Sequence, residues 1–508
     1  MTGAALGRLA ALCVLAGSLA GCGIHPQPLT QEEFALRAAA NIQGLTLGQE
    51  PVSRTIGLGE AVARALKYNL ALRVKQDQIA VASAKLDIRG YAMLPEIVMN
   101  SGYVSRNNYQ ASTSLNLVTG QRDTDPSTSQ DRNQYSKDIS IGWDILDFGL
   151  SYVRAQQAAD DVLIAREMWR TTLHKLVEEV RIQYWRASTY QRLIGRLKAL
   201  DRRTGAALAN SRKLSLGSEV NRLEVLNSER ELVRVKQAIK DLEQELIDAK
   251  SELATLMNLK PGTPYTLDAS RPDHKRFKLD MPLDDVLEMA VANRPEMRQN
   301  FYEQRINVKE AQVNLLELFP SMRLYSSDNR SSNSFLLNAD WVSVGAAMSW
   351  NLINAFRYPA KQKAQKTKQE MIRRQALATC MTIVSQVYMG LNRYDYFQDR
   401  LSMSERFLSV QRRLTQQMRL EAQAERVSEQ ELILEEMNEL IAEAKFDMAY
   451  ADLEKAHGGL IASIGLDPTP LLDPAAPVAV LSSALEEGWK NAFVPSRDPR
   501  TRHSASAQ

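Results

Sequence analysis

The residues best suited to ligate a metal, attack an electrophile or shuttle a proton are five histidines and three cysteines: His25, His174, His274, His457, His503, Cys13, Cys22 and Cys380. They stand apart. None falls into His-x-x-x-His, Cys-x-x-Cys or Gly-x-Ser-x-Gly, the spacings that set two ligands on one helical face or expose a nucleophile on a turn. Gly57-Leu58-Gly59 opens a helical pattern without a preceding strand or a third glycine, so no phosphate cradle is expected there. Cys380 lies in a helical pattern with no His or second Cys nearby and reads as a small buried residue. The expectation is therefore no enzyme, no cofactor and no metal. What remains is charge: Arg412, Arg413 and Arg419 are followed by Glu421, Glu425 and Glu429. They could link helices, or form a solvated face whose pairs contribute less than about 1 kcal/mol each.

The chain as a whole sets 63 Lys plus Arg against 60 Asp plus Glu, a formal charge of +3 that is too small for nucleic acid as the main partner. A mean hydropathy of -0.32 excludes a bundle of membrane helices. One uncharged stretch, Leu9 to Ala20, follows Arg8; it is too short to span a bilayer but suits a signal-peptide core. It leads into Leu19-Ala20-Gly21-Cys22, which resembles the bacterial lipobox. Residues 1–21 then read as a signal, Cys22 as the lipidated residue of a 22–56 segment, and Gly23 as compatible with outer-membrane delivery. Acyl chains contribute about 0.8 kcal/mol per buried CH₂, enough together to hold the N-terminus on a membrane without crossing it. Cys380 is then left without a disulfide partner.

The chain repeats itself. Leu58, Ala65, Arg73 and Pro95 recur 225 positions on as Leu283, Ala290, Arg298 and Pro320. With the offset changed to 207, Trp143 matches Trp350, Val220 matches Val427, Glu224 matches Glu431 and Leu259 matches Leu466. The difference falls in one loop, Asn107 to Gln134. The first unit spans 57–270 and the second 282–468, with 469–508 a C-terminal segment disordered from Pro495. Each unit reads as a helix stopped by proline (Leu58 to Met93 in the first), then a strand hairpin, a long helix, a turn and a further helix. The hairpins are placed at 96–146 and 321–350, the long helices at 148–213 and 357–420, and the last helices at 219–258 and 427–465.

In the returning strand, Ile139, Ile141, Trp143 and Ile145 alternate with Ser140, Gly142 and Asp144; Val342, Val344, Ala346, Met348 and Trp350 share one parity in the second copy. That period of 2 is expected where one face meets lipid and the other water. Trp143, Trp341 and Trp350 are assigned to the membrane interface. A long helix of this kind runs on the order of 100 Å, the length of the two shorter helices of its repeat laid end to end. Four strands of about 10 residues suit an outer-membrane span but cannot close a barrel; an open edge in lipid leaves backbone groups unpaired at several kcal/mol each. Other copies must complete the barrel, and three would supply twelve strands.

The order of these elements, taken twice, resembles the TolC-type outer-membrane efflux factors over about Ile56 to Pro468. The resemblance rests on Leu94-Pro95 and Phe319-Pro320-Ser321 before strands, Ile145-Leu146-Asp147-Phe148-Gly149 entering the long helix, and Leu216-Gly217-Ser218 with Leu223-Glu224-Val225-Leu226 after the turn. Departures are Asn354-Ala355-Phe356 in place of the Asp-Phe-Gly type segment, and Ala424 where the turn glycine would stand. Arg294-Pro295 corresponds to the family's Asn-Pro, against Asn69-Leu70 in the first copy.

The resemblance implies a mainly α fold: a homotrimer with a twelve-stranded β-barrel in the outer membrane on a twelve-helix periplasmic α-barrel. It implies docking to a periplasmic adaptor and an inner-membrane transporter, and passive conduction of small molecules such as drugs or metals. A protein or polysaccharide secretion duct and a non-conducting helical scaffold are the alternatives. Leu216, Gly217, Ser218, Glu219 and Val220, with Ala424, Glu425, Arg426 and Val427, would form the adaptor-contacting tips; Arg412, Arg413, Arg419, Glu421, Glu425 and Glu429 would form the periplasmic gate.

Overall fold

The computed structural model describes residues 26–52, 55–214, 222–260, 262–268, 282–467 and 476–491. Cys22, the 1–21 signal, the Leu216 to Val220 turn and the Pro495 to Gln508 tail lie outside the described residues. The chain divides into two units, Met1–Pro51 and Val52–Gln508. The first contains one helix, α1 (Gln31–Gly44), started by a capping box in which the Thr30 hydroxyl accepts from the Glu33 N–H.

In the second unit the elements run β1 (Thr55–Ile56), α2 (Leu58–Tyr68), α3 (Leu70–Tyr91), β2 (Glu96–Ser105), β3 (Ala111–Ser112), β4 (Ser127–Thr128), β5 (Asn133–Asp144), α4 (Ile145–Leu214) and α5 (Arg222–Leu256). The order then repeats as β6 (Thr266–Leu267), α6 (Leu283–Asn293), α7 (Pro295–Leu316), β7 (Ser321–Ser331), β8 (Asp340–Ser349), α8 (Ile353–Gln423) and α9 (Glu429–Ser463), followed by α10 (Val478–Asn491). With 70 and 71 residues, α4 and α8 are each about 105 Å long.

The helix expected to run unbroken from Leu58 to Met93 is two helices. Asn69 adopts an extended backbone (ψ 120°) and its side chain accepts from the Leu72 N–H, ending α2 and capping α3. The equivalent break falls at Arg294 (ψ 130°), where Pro295 disfavours α conformation in the preceding residue. Asparagine in one copy and proline in the other thus make the same bend by different physics. The helices α5 and α9 also end alike: Asn258 (φ 57°) and Gly465 (φ 79°) take the left-handed conformation. The Leu259 N–H donates to Ala254 O at 2.7 Å, and the Leu466 N–H to Ile461 O at 3.2 Å. A Cβ on Gly465 would lie 2.9 Å from the Arg294 nitrogen, so glycine is needed where the α6–α7 bend approaches.

The short helices pack along the long ones, α3 and α5 on α4 and α7 and α9 on α8, while α7 and α9 also touch α4. Their cores are apolar. One gathers Val62, Ala65, Val180, Trp185, Leu253, Met257, Leu481 and Leu485 where α2, α4, α5 and α10 meet. A second, in the other repeat, gathers Val286, Ala290, Ile383, Val387, Leu453 and Leu460. A third joins Leu193, Leu197, Leu232, Ile239, Ile433 and Met437 farther along α4, α5 and α9. Cys380 is half-buried and free, short of the full burial expected. No described helix is long and apolar enough to cross a membrane.

Candidate functional site

Three features carry the functional geometry: an open sheet at one end of the long helices, a seam of charge along α9, and the turn from α8 into α9.

The sheet has the order β2-β5-β7-β8, all antiparallel. Its register places Ile97, Ile141, Ser326 and Val344 in one row, and Met99, Ile139, Asp328 and Val342 in the next. These rows form a mostly apolar face whose hydrophobic residues are all exposed in the single copy, with Val344 80% exposed and Ser326 half-buried. The opposite face carries Asn100, Ser136, Asp138, Ser140, Asn329 and Ser343. There Asn100 Nδ2 donates to Asp138 Oδ2 at 2.9 Å and Asn329 Nδ2 to Ser343 Oγ at 3.1 Å. Arg323 occupies this polar face over Gly142, where an added Cβ would sit 2.8 Å from the guanidinium. Tyr325 lies over Gly345 in the same way.

The period-2 pattern thus extends across all four strands. Two of the three tryptophans keep it: Trp143 and Trp350 stand on the apolar side at the helix end, and Trp350 Nε1 donates to Leu318 O at 3.0 Å. Trp341 does not. Its register, opposite Asn329, sets it on the polar face at the far end of the sheet. It lies on the face opposite Trp143 because one residue of shift in a strand exchanges faces. The outer edges, β2 and β8, have no strand partner among the described residues.

The expected charge cluster is rearranged. Arg419 pairs not with Glu421 but with Glu436 (3.1 Å) and Glu439 (3.4 Å) on α9, and Arg412 with Glu443 (3.5 Å). Glu421 is reached instead by Arg426, at 3.5 Å. Arg413, Glu425 and Glu429 are exposed and make no ion pair among the described residues. The reason is helical geometry: α8 and α9 run antiparallel, so a residue one turn before the α8 end faces about two to three turns into α9.

Glu436, Glu439 and Glu443 are also held from the other side by α4, which meets two further acids of α9. Arg181 meets Glu454 (2.6 Å), Arg192 meets Asp447, Arg196 meets Glu439 (3.0 Å) and Glu443, and Arg203 meets Glu436. Asp447 and Glu454 are buried. Carboxylates at 436, 439, 443, 447 and 454 recur at helical spacing on one face of α9; Glu436, Glu439 and Glu443 are clamped between arginines of α4 and α8, and Asp447 and Glu454 are met by arginines of α4. That spacing is visible in the sequence, and reading the acids only around the turn missed it.

The second turn is complete. Ala424 is not in the glycine-requiring position; Glu425 (φ 57°) is. Arg426 N donates to Glu421 O at 3.0 Å and Glu425 N to Ala422 O at 3.1 Å, the paired bonds of a Schellman ending. Val427 follows, and Ser428 then caps α9 in a box with Glu431. Hydrogen bonds from the Ser428 N–H and hydroxyl hold the Glu431 carboxyl below the usual carboxylate range. Its counterpart turn, Leu216 to Val220, is outside the described residues.

At the far end of α9, Asp467 accepts from Arg170 at 3.0 Å and lies 2.8 Å from His174 Nε2. Burial works to raise its carboxyl, but the bonds from His174 and Arg170 outweigh it and keep it below the ordinary value.

No protein-family model and no curated protein matches the chain. Solved structures do. The Campylobacter jejuni CmeC outer membrane channel aligns with a TM-score of 0.64 at 12% identity, over 85% of this chain and 90% of that one. The outer-membrane channel OprN gives 0.58 at 18% identity, over 80% and 89%. The open state of the Neisseria gonorrhoeae MtrE outer membrane channel gives 0.59 at 16% identity, over 81% and 94%. The chain therefore has the fold of these outer-membrane channels, the fold that its TolC-type duplicated element order implies.

Proposed function

We propose that this chain is one subunit of an outer-membrane efflux channel, a TolC-type duct that passively conducts small molecules delivered by an inner-membrane transporter through a periplasmic adaptor. The observation that carries the reading is the sheet: two edges unpaired among the described residues and an exposed apolar face on strands of 10 to 12 residues. In water such a sheet would aggregate; in lipid its edges would cost several kcal/mol per unpaired group. Pairing β8 of one copy with β2 of the next removes both costs, and three copies make a twelve-stranded barrel with its polar face inward. The long helices of three copies would form the α-barrel below it. Cys22, acylated, would anchor the N-terminus to the outer membrane.

The turns at 216–220 and 424–427 would meet the adaptor. Closure of that end would rest on the α4–α9 pairs, while the candidate gate charges from Arg412 to Glu429 would hold α8 and α9 together as one moving unit. The test is the mass of the detergent-solubilised species followed by its conductance in a planar bilayer. A conducting particle of three chain masses is expected; a non-conducting monomer would overturn the reading in favour of a helical scaffold.

A further inference from the structure

From Arg357 to Arg374, the first turns of α8 after the sheet carry seven basic residues and one acidic one, Glu370. The equivalent stretch of the first repeat, Leu150 to Glu167, has two basic and three acidic residues. The same helix in the same fold is thus built with either charge, so this run is not a requirement of the fold. Lys361 pairs with Glu317. Lys363, Lys366, Lys368, Arg373 and Arg374 are exposed and have no carboxylate within ion-pair distance among the described residues.

Two stripes fix the helix's orientation. Gln365, bonded to Asn307 O, with buried Ile372 and Ala376, faces α7. Ala360, Ala364, Thr367 and Met371 form the floor of a shallow groove, with Lys363 on its outer lip and Lys368 on the other, that nothing fills in the single copy, where a neighbouring copy would seat. At about 100° per residue the two stripes are separated by about 130° on one side and about 230° on the other. A helix in a closed ring turns the smaller arc to the interior and the larger one outward. Lys363, Lys366 and Arg373 lie in the larger arc.

We infer that Lys363, Lys366 and Arg373 form an outward docking surface for a carboxylate-bearing polymer of the cell wall, the peptidoglycan network, just beneath the outer membrane. The inference rests on the proposed ring assembly. Anionic phospholipid heads are the competing source of charge, but the head-group layer is only about 5–7 Å deep and the Debye length about 8 Å. Lys366 and Arg373 stand about 20 and 30 Å along the helix from Ile353, beyond that reach.

The test is co-sedimentation of the full-length, detergent-solubilised protein with isolated peptidoglycan sacculi, beside vesicles of phosphatidylglycerol and phosphatidylethanolamine. The wild type is expected to pellet with sacculi at about 50 mM NaCl and to be released at about 500 mM. The variant K363E/K366E/R373E is expected to pellet at least about ten-fold less, while K198E, elsewhere on the exposed surface, behaves as wild type. The milder K363Q/K366Q, which introduces no repulsion into the helix, is expected to weaken binding by about three-fold and covers the case in which the triple reversal fails to assemble.

Undiminished pelleting of the folded variants overturns the inference, as does binding to the vesicles in place of sacculi. So does a change in the channel's anion-to-cation selectivity on reversal, which would turn these residues to the lumen. A monomeric, non-conducting protein that still binds sacculi through these lysines would instead defeat the duct and leave the polymer contact standing.

Discussion

Single residues set the ends of helices and the resistance of the charged seam. Glu425 holds a left-handed backbone that costs a residue with a Cβ roughly 1 kcal/mol or more. Glu425→Gly is therefore expected to stabilise the α8–α9 turn by about 1 kcal/mol, and Ser428→Ala to destabilise it by about as much; hydrogen exchange of the turn amides distinguishes the two. Within the seam, Arg192 neutralises Asp447, whose side chain is 1% exposed. Removing the arginine takes an ion-pair partner from a buried carboxylate. Arg192→Ala should cost about 3–5 kcal/mol in denaturant unfolding, and adding Asp447→Ala should recover much of it.

Asp467 links stability to pH. Because its folded value lies below its unfolded one, its contribution is complete above the unfolded value of about 3.9 and is lost as pH falls through the folded value. The thermal midpoint of the wild type should therefore drop more steeply below about pH 4 than that of Asp467→Asn, in which the group does not titrate.

At the scale of elements, the sheet is the decisive piece. The alternation in β5 and β8 was legible because a two-faced strand repeats every second residue, and the pairing carries it into β2 and β7. A basic residue on the apolar face is expected to cost about 2–4 kcal/mol at mid-membrane, so Val344→Arg should reduce assembled, membrane-extracted protein. Ser343→Arg, one residue away on the polar face, should assemble normally; equal loss in both variants would mean the apolar face does not meet lipid. Helix boundaries were less legible. The break at Asn69 carries no proline, and its cap, an Asn side chain on the Leu72 N–H, uses a residue type that occurs at many positions without ending a helix.

At the scale of the whole molecule, α4 and α9 belong to different repeats, so their ion pairs tie the two halves of one subunit together. Opening the end farthest from the sheet would move α8 and α9 together, keeping Arg419 with Glu436 and Glu439 but breaking the α4 pairs. Arg196→Ala with Arg203→Ala is accordingly expected to raise single-channel conductance, and Arg419→Ala alone to leave it nearly unchanged; the reverse order would relocate the closure to the α8–α9 hairpin.

Local order and periodicity, both properties of neighbours in the chain, determined the duplication, the mainly helical architecture, the hairpins, the long helices and the alternating parity of the strands. Tertiary structure alone decided which acid each arginine meets, because Arg192 and Asp447 are 255 positions apart and their contact depends on how two antiparallel helices slide into register. It also decided the face of Trp341 and the left-handed residue of the second turn. Strand register and helix-end geometry are matters of a single residue, whereas a hydrophobic pattern tolerates a shift of one at its ends.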